Sequence, residues 1–185
     1  MSAVPAHGLQ RLFFALWPDD ELRAALAAAA GTLRRACGGR AVPSRNLHMT
    51  LAFLGNVPAA RLPELQAIAA GLAAQSFVLT LNRIGWWRAQ RLVWAGTERC
   101  PHDLEALAVA LAGRLQAGGF RTEERRFVPH VTLLRDAGRA PEPATLQSLA
   151  WRPAQFVLVR SVPAARSVNY RILSKWPLRA MSAGL

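Results

Sequence analysis

The sequence has almost no lysine. Lys175 stands alone among 23 basic residues, so the positive charge is nearly all arginine. Acidic residues are also few, 11 in total, and the formal net charge is +12. A guanidinium offers a planar fork that matches phosphate oxygens, and strongly basic soluble domains often bind nucleic acid. Biased codon use, which also enriches Ala, Gly and Pro, accounts equally well for the arginine-to-lysine ratio. It explains the shortage of acids less well. Cysteine is scarce: Cys37 and Cys100 form no CxxC pair and have no His or Cys cluster beside them. They read as ordinary reduced thiols of a cytosolic protein, with no support for a disulfide. Long apolar runs are missing as well. The early run Leu12 to Trp17 stops at "PDD" and is too short for a secretory signal. The longest uncharged stretch, Leu65 to Asn82, is broken by Gln75 and Ser76 and changes period there, so no membrane helix is expected. There is no low-complexity linker.

What is present is apolar and periodic. Apolar residues make up 52% of the 185 positions, enough for a folded core in one domain or in two small lobes sharing it. "LQRLFFALWP" reads as a buried strand ended by Pro18. From Asp19 the period changes, with Leu22, Leu26 and Leu33 on one helical face and Gly38-Gly39 as the stop. Leu62, Leu65, Ile68 and Leu72 predict a second amphipathic helix. "SFVLTLNRIGWW" and "RLVWAG" read as two strands around a turn at Arg88 to Gln90. Leu104, Leu107, Leu111 and Leu115 predict a third helix after Pro101, ended by Gly118-Gly119. Ala140 to Thr145 reads as a loop, and "AQFVLVRSV" and "NYRILSKWPL" as closing strands.

Two stretches carry chemistry. In "NLHMTLAFLG", His48 and Thr50 alternate with Met49 and Leu51. In "FVPHVTLLRD", His130 and Thr132 alternate with Val131 and Leu133. Side chains alternate across a strand, so each His shares a face with its Thr. The chain has four histidines and seven threonines, and two of the four histidines have Thr two positions on. The second motif follows the first by 82 residues, close to half the chain, which suggests two related lobes with one copy each.

A single His on a strand is ordinarily a structural residue; two matched copies are harder to read that way. A metal centre would need three or four ligands, and His7 and His102 sit in unrelated contexts, with Asp136 the only carboxylate beside either motif. A Ser/His/Asp hydrolase lacks its nucleophile elbow. Two facing imidazoles suit the opening of a cyclic phosphodiester, where one deprotonates water and the other protonates the leaving oxygen. The threonine hydroxyls can hydrogen-bond the non-bridging oxygens, and Arg135 can add charge. Strict alternation puts Arg135 on the wrong face, five positions after His130. It reaches the site only if the strand ends or bulges near Leu134.

"HMTL" and "HVTL" together resemble the signature of the 2H phosphoesterases. "RLFFALWP", "NLHMTLAFLG", "RLVWAG", "PHVTLLRD" and "YRILSKWPL" narrow the resemblance to the bacterial and archaeal RNA 2′,3′-cyclic phosphodiesterases, also called 2′-5′ RNA ligases. Nearly the whole chain is covered; the few residues before Leu9 are extra. The resemblance implies an α+β fold of two pseudo-symmetric lobes in one domain over residues 1–185. Each lobe would be an antiparallel sheet with outer helices, and the active-site cleft would lie between them. It implies His48 as proton donor, His130 as proton acceptor, and Thr50, Thr132 and Arg135 as phosphate ligands. It also implies no metal and no cofactor, a 2′-phosphomonoester product, and ligation as the reverse reaction. The expected partner is RNA with 2′,3′-cyclic phosphate ends, tRNA fragments among them, met by a cytoplasmic monomer. Rivals are a small cyclic-nucleotide phosphodiesterase of the same superfamily and a non-catalytic RNA-binding module. Trp86-Trp87 offers either a base-stacking pair or one core and one surface ring. "RTEERRF" (Arg121 to Phe127) offers an RNA contact or a solvated turn. Tyr170 and Lys175 lie in a resembling block without a legible role.

Overall fold

The computed structural model describes residues 8–123, 125–142, 147–164 and 167–179. His7, the other residues before Gly8, Glu124 of the charged turn, and 143–145 of the expected loop lie outside the described residues.

Strands β1 (Leu9–Leu16), β2 (Arg40–Ala41), β3 (Met49–Pro58), β5 (Arg83–Trp87), β6 (Leu92–Gly96), β7 (His130–Arg135), β9 (Gln155–Ala164) and β10 (Ser167–Pro177) form one sheet. Its order is β10-β9-β1-β3-β7-β6-β5, with the short β2 also paired to β7. Every pairing in it is antiparallel. Two remaining strands, β4 (Leu79–Leu81) and β8 (Leu149–Trp151), pair only with each other. The apolar stretch from Ser76 to Trp87, expected as one strand, is thus two. Asn82 marks the break, and Leu79 and Leu81 are buried away from the main sheet's ladder.

Both expected antiparallel groups are present, and they are fused edge to edge. The join is between β3 and β7, at the register pair Met49↔Val131. The groups do not follow the halves of the sequence. β9 and β10, from the C-terminal end, complete the group that holds β1 and β3.

Three helices cover one face: α1 (Asp20–Cys37), α2 (Leu62–Ala70) and α3 (His102–Ala117). Asp19 caps α1 by accepting the Leu22 N–H at 2.9 Å. Asp20 and Glu21 in its first turn and Arg34 and Arg35 in its last complement the helix dipole. After α1 the chain turns at Gly39 with φ of +80°, and a Cβ there would stand 2.6 Å from the Arg135 carbonyl oxygen. Only glycine lets β2 close on the end of β7. Leu22, Leu26, Leu65, Leu104, Leu107 and Leu111 from the helices join one buried cluster with Leu12, Phe14, Met49, Leu51, Val131 and Leu133 from the sheet. The cluster draws on all three helices and both strand groups. The run Leu12–Leu16 is buried on both faces. Its even members join the helix side, while Phe13 and Ala15 join Val157 and Val159 in a second, smaller cluster on the other face. No helix residue enters that second cluster, so the helices leave this face open. No helix among the described residues is long and apolar enough to cross a membrane.

Candidate active site

The open face carries the two motifs. Met49 and Val131 pair and both point to the helix side. Their neighbours must point the other way, so His48, Thr50, His130 and Thr132 share the open face at the seam. Antiparallel register sets Thr50 beside His130 and His48 beside Thr132, and the two imidazoles on a diagonal. Diagonal neighbours stand roughly 7–8 Å apart at the backbone, which leaves room for a phosphoryl group between the rings.

Arg135 reaches the same face through a bulge. Val93 pairs with Leu134 and Trp94 with Thr132, so Leu133 is an extra residue on β7. Leu133 and Leu134 are both buried on the helix side, and the next residue, Arg135, turns back to the face of His130. β3 has a bulge at the same offset. Phe14 pairs with Ala52 and Ala15 with Thr50, leaving Leu51 extra. The residue five beyond His48 is Phe53, which joins the apolar cluster of the open face, with the Arg11 guanidinium 4.8 Å from its ring centroid. The two halves of the site therefore share a backbone plan and differ in what they hold: charge in one, an aromatic ring in the other.

Both imidazoles are held alike. The Nδ1–H of His48 donates to the Asn46 carbonyl oxygen at 2.6 Å, and that of His130 to the Val128 carbonyl oxygen at 2.8 Å. This tautomer leaves the lone pair of each Nε2 available to exchange a proton. Aromatic rings enclose them. Trp17 stacks on His48 with an interplanar angle of 10°, and Phe13 and Tyr170 lie 4.8 and 5.1 Å from it by ring centroid. Trp87 meets His130 edge to face at 4.5 Å. Burial among these rings pushes the His48 pKa from 6.5 down to about 4. The Asn46 carbonyl opposes that shift, and the charges of Arg135 and His130 add to it. The His130 pKa is also lowered, by burial first, against the Val128 carbonyl and Glu123, with Arg135 adding to the fall. Arg135 thus acts electrostatically on both rings.

Several site neighbours were not legible in the motifs. Asn46 is buried, and its amide donates to the Val168 carbonyl oxygen at 2.6 Å, tying the turn before β3 to β10. Trp17 and Tyr170 come to His48 from β1's end and from β10. Of the tryptophan pair, Trp86 packs on the main core, and Trp87 lies on the open face against His130 and Trp94. Trp94 lies over Gly85, where a Cβ would overlap its ring at 1.9 Å. The only available signal was period-2 counting from the paired strands. His102 opens α3 and is exposed, away from the site. Among the described residues no three His, Cys, Asp or Glu side chains converge as a metal site.

Residues 16–94, which include the first motif, match the family LigT like Phosphoesterase. The RNA 2′,3′-cyclic phosphodiesterase of Escherichia coli K12 is 37% identical over 172 residues, covering 91% of this chain and 97% of its own. The protein of the same name from Thermus thermophilus is 34% identical over 180 residues, covering 91% and 90%. The crystal structure of E. coli LigT complexed with 3′-AMP superposes with a TM-score of 0.87 at 34% identity, over 92% of this chain and 99% of the other. With that likeness running over nine-tenths of its length, the chain belongs to the LigT-like phosphoesterases of the 2H superfamily.

Proposed function

We propose that this protein hydrolyses RNA 2′,3′-cyclic phosphodiester ends to 2′-phosphomonoesters. The observation that carries the reading is the pair of His/Thr dyads on one open face, related across Met49 and Val131, with both Nε2 atoms free. Names borne by relatives at 34–37% identity support the substrate class.

The substrate phosphorus sits over the seam. Thr50, Thr132 and Arg135 hold its non-bridging oxygens by hydrogen bonds and charge. His130 takes a proton from water through Nε2 as the oxygen attacks phosphorus. The bond from phosphorus to O3′ breaks on the opposite side, and His48 gives its Nε2 proton to O3′. One proton enters the enzyme and one leaves, so a second transfer between solvent and the histidines resets it. Ligation runs the same steps in the same direction with a 5′-hydroxyl in place of water: His130 takes its proton, the bond from phosphorus to O3′ breaks, and a 2′-5′ phosphodiester remains.

Both pKa values are lowered, so both imidazoles favour the neutral form at pH 7. The donor role of His48 therefore depends on the substrate. A bound phosphodiester anion offsets Arg135 and favours the imidazolium, and the stacked Trp17 face adds attraction for that cation. The partner is RNA cleaved to a cyclic end, tRNA fragments among them, met by a monomer in the cytoplasm.

The test is incubation of an oligoribonucleotide ending in 2′,3′-cyclic phosphate with the protein in excess EDTA, followed by identification of the product's phosphate position. A 2′-phosphate is expected. A 3′-phosphate, or turnover that needs a divalent ion, overturns the mechanism.

A further inference from the structure

Away from the histidines, at the far end of β7, the surface holds a cavity of about 520 Å³ lined by Trp86, Arg88, Arg91, Ala137, Gly138, Arg139 and Ala140. Three of its seven lining residues are arginines and none is acidic. We propose that this cavity is a second phosphate site, which holds the RNA backbone several nucleotides from the reacting end. The proposal rests on the hydrolase reading above.

Exposed arginines are ordinarily just solvated, and in a chain this rich in arginine some must cluster. Three observations separate this group from that expectation. First, the guanidiniums surround a depression instead of a convex surface, so their fields add inside it. Second, two of them are already fixed. Arg91 donates from Nε to the Ala137 carbonyl and from Nη2 to the Asp136 carbonyl, each at 3.1 Å, and Arg139 donates from Nε to the Ala36 carbonyl. Their ordering entropy is spent in folding, and each retains N–H groups for a phosphate. Third, the carboxylate that precedes Ala137 already has its own ion pair. Asp136 is engaged by Arg40, which donates to its carboxylate from Nε and Nη2. The Arg40 hydrogen bond and charge, with Arg91 and Arg135 behind them, hold that carboxyl below its usual pKa.

The placement suits a strand of RNA. The cavity wall includes Ala137 to Ala140, directly after β7, and Arg88 and Arg91 of the β5–β6 turn. The backbone N–H of Ala137 donates to the Arg91 carbonyl at 3.0 Å and locks the two together. β7 runs from His130 to Arg135, roughly 17 Å at the usual rise of an antiparallel strand. Trp86 packs on the helix side, so a chain reaches the cavity from the open face by passing around the end of β7, a path on the order of 20 Å. A cyclic mononucleotide cannot span that distance; a chain of several nucleotides can.

The experiment compares a cyclic mononucleotide with a ten-nucleotide RNA bearing the same cyclic end, for the unmodified protein, the Arg88→Ala/Arg139→Ala double variant and the single variant Arg88→Glu. Arg88 is exposed and makes none of these backbone bonds, so the single variant guards against a folding artefact, with circular dichroism as the check. For the decamer, KM should rise about tenfold in the double variant. The slope of log KM against log salt should fall by roughly 0.7 for each phosphate that the variant no longer neutralises. For the mononucleotide, kcat and KM should stay unchanged. Binding of a fluorescent decamer ending in a plain 2′-phosphate, followed by anisotropy, reads the same site without turnover. Unchanged decamer binding and KM in both variants overturn the proposal, as does an equal loss on both substrates. If the unmodified protein turns over neither substrate, the hydrolase reading fails, and the anisotropy series still decides the site.

Discussion

His48 and His130 differ from solvated imidazoles because aromatic rings surround them and each spends Nδ1 on a backbone carbonyl. Replacing either by Ala should lower kcat by roughly 10²–10⁴-fold, the usual worth of one positioned proton-transfer group, with the fold intact. Near-normal turnover in either variant would leave that histidine a merely structural residue. The lowered pKa of His48 has a second consequence. Between pH 6.5 and about 4 the unfolded chain carries a proton on this ring that the native protein does not. Its contribution to stability is therefore full above pH 6.5 and declines as acid is added through that window, by on the order of 3 kcal/mol. His130 acts in the same direction. A His48→Gln variant, titrated with urea at pH 7 and pH 4.5, should show a shallower loss than the unmodified protein; an equal loss would mean that His48 is not shielded. Bound 2′-phosphomonoester should raise the His48 pKa, read from the imidazole proton shifts by NMR. A pKa that stays near 4 in the complex would rule out its role as donor.

At the scale of the strand, the bulge decides. Without Leu133 as an extra residue, Arg135 would point among the leucines under the sheet. With it, the guanidinium joins the face of the two histidines. Arg135→Lys keeps the charge but loses the bidentate fork, so its kcat/KM should fall almost as far as that of Arg135→Ala. Full activity in the lysine variant would show that a point charge suffices. The turn before β3 matters in the same way. Asn46→Ala leaves the Val168 carbonyl oxygen without its donor and loosens the carbonyl that orients His48. It should cost roughly 1–3 kcal/mol of stability and lower kcat, with KM little changed. Unaltered kcat would make Asn46 a packing residue only.

For the whole molecule, the two strand groups touch at a narrow seam yet share one buried cluster with all three helices. Unfolding either group would strip apolar cover from the other. The chain should therefore unfold as one unit, with far-ultraviolet circular dichroism and tryptophan fluorescence giving the same urea midpoint. The tryptophans report on both groups, since Trp17 and Trp176 sit in one and Trp86, Trp87 and Trp94 in the other. Two separate transitions would show lobes that fold independently.

The amino-acid sequence by itself determined what depends on local period. The faces of His48, Thr50, His130 and Thr132 follow from alternation along a strand. The apolar stripes of Leu22, Leu26 and Leu33 and of Leu104 to Leu115 follow from the turn of a helix. These are properties of neighbours in the chain, and they recover the three helices, most of the strands and the face that each His shares with its Thr. Only the tertiary structure decided the rest, because it depends on which distant strands lie side by side. The bulge at Leu133 exists through pairing with β6, and a count along β7 alone puts Arg135 on the wrong face. Tyr170 meets His48 because β9 and β10 return to the strand group of β1, which pairs backbone groups that β1 would otherwise leave open at an edge. The split of Ser76 to Trp87 into two strands depends on β8 drawing Leu79 and Leu81 out of the main sheet. Periodicity carries no information about such partners, since hydrogen bonding and burial between distant segments select them.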